Sequence, residues 1–119
     1  MKSAAVFWLE NKKGEVLIRQ RPRQGLLGGL MEFPTSDWAQ NFNKEEALGQ
    51  APAQLDWQVA GNPIRHVFTH FELRLYPYRA QTLAALSLPG TWVRPENLNQ
   101  HALPTLMRKV EYIFTAGST

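Results

Sequence analysis

Six consecutive residues, His66-Val67-Phe68-Thr69-His70-Phe71, bring two imidazoles, a hydroxyl and two aromatic rings together near the start of a strand-like segment. A hydroxyl donates and accepts at once, so it suits a base edge whose donor pattern has changed. Strand alternation would set Phe68 and His70 on one face and Thr69 and Phe71 on the other. The same residues also suit a strand with core aromatics and two exposed histidines. A second stretch, Arg19-Gln20-Arg21-Pro22-Arg23-Gln24-Gly25-Leu26-Leu27-Gly28-Gly29, is a basic, glycine-rich loop. Arg19, Arg21 and Arg23 alternate at a strand end, where they can point together toward a phosphate strand. The backbone N–H groups of Gly25, Gly28 and Gly29 can approach phosphate oxygens. Glycines that serve packing alone would give the same pattern.

Around these stretches the sequence predicts a mixed sheet flanked by one or two helices, an α+β arrangement. Ala4 to Leu9 and Glu15 to Gln20 are β-prone, and Asn11-Lys12-Lys13-Gly14 between them carries turn chemistry, which predicts a hairpin. Phe42 to Leu48 reads as a short helix with Asn43 as N-cap and Glu46 three positions on. Pro52 to Pro63 reads as irregular. Ile64 to Thr69 and Glu72 to Ala80 read as two strands, with Leu73, Leu75 and Pro77 on one face of the second. Thr91-Trp92-Val93 reads as a short strand. Pro104 opens a final helix whose stripe is Leu103, Met107, Val110 and Phe114, with Arg108, Lys109 and Glu111 opposite.

The 119 residues suit one domain, residues 1–119, with a single core. The abrupt start at Met1-Lys2-Ser3 reads as a cut at a domain boundary, although a naturally short protein would begin the same way. The chain has no cysteine, so a disulfide, a thiolate zinc site and an iron–sulfur cluster cannot form within it. No metal is assigned to His66, His70 and His101. The net charge of +3 is compatible with a polyanionic partner but does not demand one. No apolar run approaches the roughly 20 residues that span a membrane, and no signal peptide is visible.

The glycine-rich stretch continues through Leu30-Met31-Glu32-Phe33-Pro34. Over Arg21-Pro22 and Gly25 to Pro34 it resembles the loop of the C-terminal domains of MutY-type adenine DNA glycosylases, except that Met31 stands where that family usually has Trp. Phe68-Thr69-His70 is similar to the family's Phe-Ser-His motif, in which the Ser contacts the oxidised guanine. Thr69 keeps the hydroxyl and adds a methyl, which stiffens its rotamer. Trp92-Val93, Leu98, Ala102-Leu103-Pro104 and Met107-Arg108-Lys109 resemble the family's ending. The three matches occur in family order along most of the chain.

The resemblance implies a Nudix-like fold that recognises 8-oxoguanine and performs no catalysis itself. Its partners would be double-stranded DNA carrying 8-oxoguanine opposite adenine, and the catalytic domain of the same protein. Phe68, Thr69 and His70 would read the lesion; Arg19, Arg21, Arg23, Gly25, Gly28 and Gly29 would lie along the DNA backbone. The domain itself would hold no cofactor, and the 4Fe-4S cluster would belong to the catalytic domain. A bacterial, cytoplasmic, nucleoid-associated location follows. The rival reading is a divergent Nudix hydrolase of oxidised nucleotides. That chemistry needs clustered glutamates around Mg²⁺, and Lys44-Glu45-Glu46 lacks the preceding Arg-Glu of such a cluster. A third reading is a protein-interaction module on the same scaffold.

Overall fold

The computed structural model describes residues 1–84 and 86–116. Its strands in chain order are β1 (Lys2–Glu10), β2 (Val16–Gln20), β3 (Met31–Glu32), β4 (Gln58–Val59), β5 (Ile64–Val67), β6 (Glu72–Gln81) and β7 (Thr91–Val93). Helix α1 (Lys44–Gly49) follows β3, and helix α2 (Thr105–Thr115) closes the described chain after a 3₁₀ turn at Pro95–Gln100. One mixed sheet runs in the order β3-β2-β1-β6-β4, with β5 also on β6 and β7 also on β2.

The sheet is organised around β1 and β6, which run parallel from Lys2 opposite Leu73 to Glu10 opposite Gln81. Every residue of β1 from Ser3 to Leu9 is buried, because both faces of the strand are covered. Ala4, Val6 and Trp8 face a core completed by Phe33, Leu73, Leu75 and the α2 residues Leu106, Met107 and Val110. Ala5 and Phe7 point the other way, toward Ala47 of α1, Tyr78 and Trp57. Trp8 stacks on Phe114 at 4.7 Å between centroids, which fixes the last turns of α2 across the sheet.

The helices match their sequence signals. Asn43 caps α1 by accepting from the Glu46 N–H at 3.0 Å. Pro104 stands as the N-cap of α2. Arg108 differs from the solvent-facing role its position suggests: its guanidinium donates to Leu98 O and His101 O at 3.1 and 3.0 Å, tying α2 to the preceding turn. The segment read as irregular contains the two-residue strand β4, which pairs with Tyr78 and Arg79 of β6.

The predicted hairpin forms but opens at once. Asn11 Oδ1 accepts from the Lys13 and Glu15 N–H groups and shapes its turn. Glu10 then pairs with Val16, after which β2 pairs with β7 and with β3. The segment Pro34–Ala39 lies along the freed edge of β1. Phe7 N–H donates to Pro34 O, Ser36 N–H to Ala5 O, and Ser3 and Ala39 exchange both bonds. Ser36 Oγ accepts the Ala5 N–H at 2.8 Å. Unpaired strand edges are costly when covered, so this segment is fixed in position, and Trp38 with it.

A candidate lesion-reading face

Two of the three arginines in the basic loop are turned inward. Arg19 Nε and Arg21 Nη1 donate to the two oxygens of Glu32 at 2.9 and 2.8 Å. Arg19 Nη2 also donates to Thr35 O at 3.0 Å. The Glu32 side chain is 3% exposed, against 19% for Arg21 and 37% for Arg19. A carboxylate this deep needs counter-charges on both oxygens, and the β2–β3 register, which sets Arg19 opposite Glu32, supplies them. Arg19 and Arg21 thus stand in ion pairs with Glu32 and not as free cations. Arg23 is exposed and makes no ion pair among the described residues.

The glycines of the loop also serve it from within. Gly28 donates to Gly25 O, and Gly29 to Arg21 O and Pro22 O, so the N–H groups of Gly28 and Gly29 are used before any phosphate arrives. A Cβ on Gly28 would stand 2.3 Å from Arg23 O and 2.9 Å from Pro22 O, which only glycine avoids. Leu27 adopts φ +59 beside it, a left-handed conformation uncommon outside glycine. The tip, with Arg23, Gln24, Gly25 and Leu26, is what the loop presents to solvent.

Within the His66–Phe71 motif, His66 and Val67 end strand β5 and residues Phe68 to Phe71 form a turn. β5 ends at Val67, paired with Glu72, and the Phe68 N–H donates to Phe71 O at 2.8 Å. Chain reversal cancels the expected alternation. Phe68 and Phe71 come together, 5.0 Å between centroids, and pack against the core. Thr69 and His70 share the exposed tip. Both rings lie against Trp38, at 5.8 Å for Phe68 and 6.2 Å for Phe71. The Arg21 guanidinium sits 4.7 Å from the Trp38 ring centroid, and Lys2 Nζ 5.0 Å from that of Phe71. A cleft of about 470 Å³, lined by Lys2, Arg19, Arg21, Leu26, Trp38 and Phe71, opens between the loop and the turn.

His66 braces the turn from behind. Its ring meets Phe68 edge-on at 4.8 Å, and Lys109 Nζ lies 2.9 Å from His66 Nδ1 and 3.3 Å from Arg65 O. An ammonium only donates, so Nδ1 accepts and the imidazole is neutral with its proton on Nε2. Burial, and then the Lys109 charge, hold the His66 pKa below the ordinary histidine value.

Sequence reading missed Glu32 and Trp38. Glu32 is the single carboxylate among residues 16–36, a stretch with three arginines, and that imbalance was the available signal. Trp38 belongs to no motif, and nothing in its neighbourhood marks it. The arrangement as a whole offers an exposed hydroxyl, an imidazole and a nearby cation on a rigid aromatic base. It does not offer a metal cage. Glu45 and Glu46 are adjacent and exposed on α1, and among the described residues no three His, Cys, Asp or Glu side chains converge as a cation would need. The Mg²⁺ of a Nudix hydrolase does not fit this donor set.

Glu32→Gln removes the charge both arginines hold. Loss of one partner from a fully buried pair costs about 3–5 kcal/mol; Arg19 is partly open to water, so about 3 kcal/mol is expected in urea unfolding. Arg23→Gln is expected to change stability by no more than about 0.5 kcal/mol. The second expectation concerns pH. Folding lowers the pKa of His66, so the unfolded chain binds its proton more readily. The stability contributed is complete above about 6.5, the unfolded value, and is lost as pH falls toward the folded value. Lys109→Met is expected to raise the His66 midpoint partway, since burial is the larger cause, and to lessen the drop in Tm between pH 7.5 and 5. Ring-proton NMR titration and melting curves measure the two effects.

Comparison with known proteins places this chain in a family. The NUDIX domain pattern (NUDIX_4) matches residues 5–111. The adenine DNA glycosylase of Rattus norvegicus is 32% identical over 111 residues, 83% of this chain and 22% of the rat protein. That of Homo sapiens is 30% identical over 112 residues, 84% of this chain and 20% of the human protein. The chain thus spans about a fifth of the length of these relatives. Among solved structures, the C-terminal domain of mouse MUTYH, in a complex with human PCNA, superposes with a TM-score of 0.74 at 23% identity, covering 99% of this chain and 90% of that one. The MutT protein of Methanosarcina mazei superposes with a TM-score of 0.79 at 17% identity, covering 99% of this chain and 95% of that one. With its mixed sheet and flanking helices, the chain belongs to the NUDIX domain family.

Proposed function

We propose that this chain is the lesion-recognition domain of an adenine DNA glycosylase, the part that identifies 8-oxoguanine opposite adenine while a separate domain removes the adenine. The observation that carries the reading is the Phe68–Phe71 turn, which presents Thr69 and His70 at an exposed tip on a packed aromatic base. Oxidation converts guanine N7 from an acceptor to an N–H donor and adds a carbonyl at C8, and a hydroxyl can meet either group. The likeness to glycosylases of rat and human over more than four-fifths of the chain supports the same reading.

In this reading Thr69 contacts the lesion, His70 lies beside it, and Phe68 holds the turn. Arg23 and Gly25, at the loop tip, run along the DNA backbone, while Arg19 and Arg21 shape the loop through Glu32. The partners are double-stranded DNA with 8-oxoguanine opposite adenine, and the catalytic domain of the same protein. The domain carries no cofactor of its own; a 4Fe-4S cluster would reside in the catalytic domain. Work on chromosomal DNA fits a cytoplasmic, nucleoid-associated protein.

The Thr69 hydroxyl is tested in the full-length protein that carries this chain. One neutral hydrogen bond contributes about 0.5–1.5 kcal/mol. Thr69→Ala is therefore expected to reduce the preference for 8-oxoguanine over guanine opposite adenine by about two- to tenfold. Thr69→Ser is expected to keep the preference and Thr69→Val to lose it like Ala. If Val discriminates as well as Thr, the residue serves strand and turn geometry and the readout role is withdrawn.

The chain alone is expected to be catalytically silent, since Glu45 and Glu46 make a poor cage for Mg²⁺. Incubation with 8-oxo-dGTP and Mg²⁺, and separately with duplex bearing adenine opposite 8-oxoguanine, is expected to give no product above buffer. Pyrophosphate release would favour the hydrolase reading instead.

A further inference from the structure

We infer that Trp38 is the positioning residue of the Phe68–Phe71 turn, and that through Arg21 it fixes the turn and the glycine-rich loop relative to each other. The inference deepens the proposed lesion-reading role and rests on it for its functional consequence, but not for its structural content.

The tip residues have little else to hold them. Among the described residues no side-chain hydrogen bond or ion pair involves Thr69 or His70. Apart from the β5–β6 ladder that closes it at Val67 and Glu72 and the Phe68–Phe71 backbone bond, the turn is located by its two rings, by Lys2 over Phe71 and by His66 at the edge of Phe68. Both rings bear on Trp38, so the Thr69 hydroxyl is placed by where that indole stands.

The indole is in turn over-determined. It lies on the segment that pairs with β1 through Pro34, Ser36 and Ala39. The N–H of the preceding Asp37 donates to Gln50 Oε1 at 2.6 Å, which fastens the segment to the end of α1. The Arg21 guanidinium packs over the ring while its Nη1 is held by Glu32. Among the described residues, Trp38 Nε1 and Arg21 Nε meet no acceptor from the protein. The ring is held by its aromatic contacts with Phe68 and Phe71 and by the guanidinium over its face. The sequence Glu32–Arg21–Trp38–Phe68/Phe71 is a continuous chain of contacts from the base of the basic loop to the tip that carries Thr69.

The test has a structural arm and a functional arm. The structural arm measures amide hydrogen exchange by NMR on the 119-residue chain. In Trp38→Ala, exchange at the Phe68 amide is expected to quicken roughly three- to tenfold, the effect of losing an aromatic pair. Amides of the β1–β6 ladder, such as those of Val6 and Leu75, are expected to stay protected. Trp38→Phe restores a stacking face and is expected to restore most of the protection. Trp38→Leu keeps apolar volume without a face of that kind and is expected to behave like Ala, and it serves should the Ala variant not fold. Unchanged Phe68 exchange in Ala and Leu with an intact ladder would overturn the inference, whatever the protein does with DNA.

The functional arm measures binding of duplexes with 8-oxoguanine or guanine opposite adenine by the full-length protein. Trp38→Ala is expected to lower the preference for the oxidised duplex at least about threefold, with affinity for the ordinary duplex kept and Phe rescuing. A loosened turn with full discrimination would overturn the positioning role. A wild-type protein with no preference would instead sink the proposed function, and the exchange data would then decide the inference by themselves.

Discussion

A carboxylate removed from water and clasped by two guanidinium groups is the constraint on which this molecule's functional face depends. Glu32, Arg19 and Arg21 join β2 to β3 at the point where the basic loop leaves and returns. Without the carboxylate, two cations would crowd one strand end. Without the arginines, a buried negative charge would have no counterpart, a situation that costs several kcal/mol. The clasp also explains why β2 departs from β1 so early. Strand β2 follows its partners β3 and β7, and the edge of β1 that it leaves is taken by Pro34–Ala39.

From that constraint the rest of the face follows in order. Segment 34–39 fixes Trp38, Arg21 covers its ring, and Trp38 supports Phe68 and Phe71. The turn then projects Thr69 and His70, while His66 of β5, met by Lys109 of α2, braces it from behind. The turn is held by aromatic packing, and no side-chain hydrogen bond engages Thr69 or His70 among the described residues. In the proposed function, a hydroxyl placed in advance in this way would discriminate between bases without the cost of first being ordered.

The same geometry bears on which chemistry this architecture supports here. A fold hosts many functions, and the site decides among them. Here the helix after β3 is six residues long and carries two neighbouring, exposed glutamates. The adenine DNA glycosylases of rat and human contain a region like this one as about a fifth of their length.

The sequence by itself determined the elements whose signals are local. Alternation and β propensity marked β1, β2, β6 and β7, Asn43 and Pro104 marked the helix starts, and three stretches carried the family resemblance. These rest on contacts between near neighbours, which residue order encodes directly. Only the tertiary structure decided which charges are available and which are consumed. Arg19, Arg21 and Arg23 look alike in sequence, yet a carboxylate 11 residues from Arg21 and 13 from Arg19 captures those two and leaves Arg23 exposed. It likewise decided that residues 68–71 reverse direction, which set Phe68 and Phe71 together instead of on opposite faces. Trp38 shows the reason most plainly: its partners lie 17, 30 and 33 positions away, at Arg21, Phe68 and Phe71, and no periodicity in a chain records a contact made only when the sheet has closed.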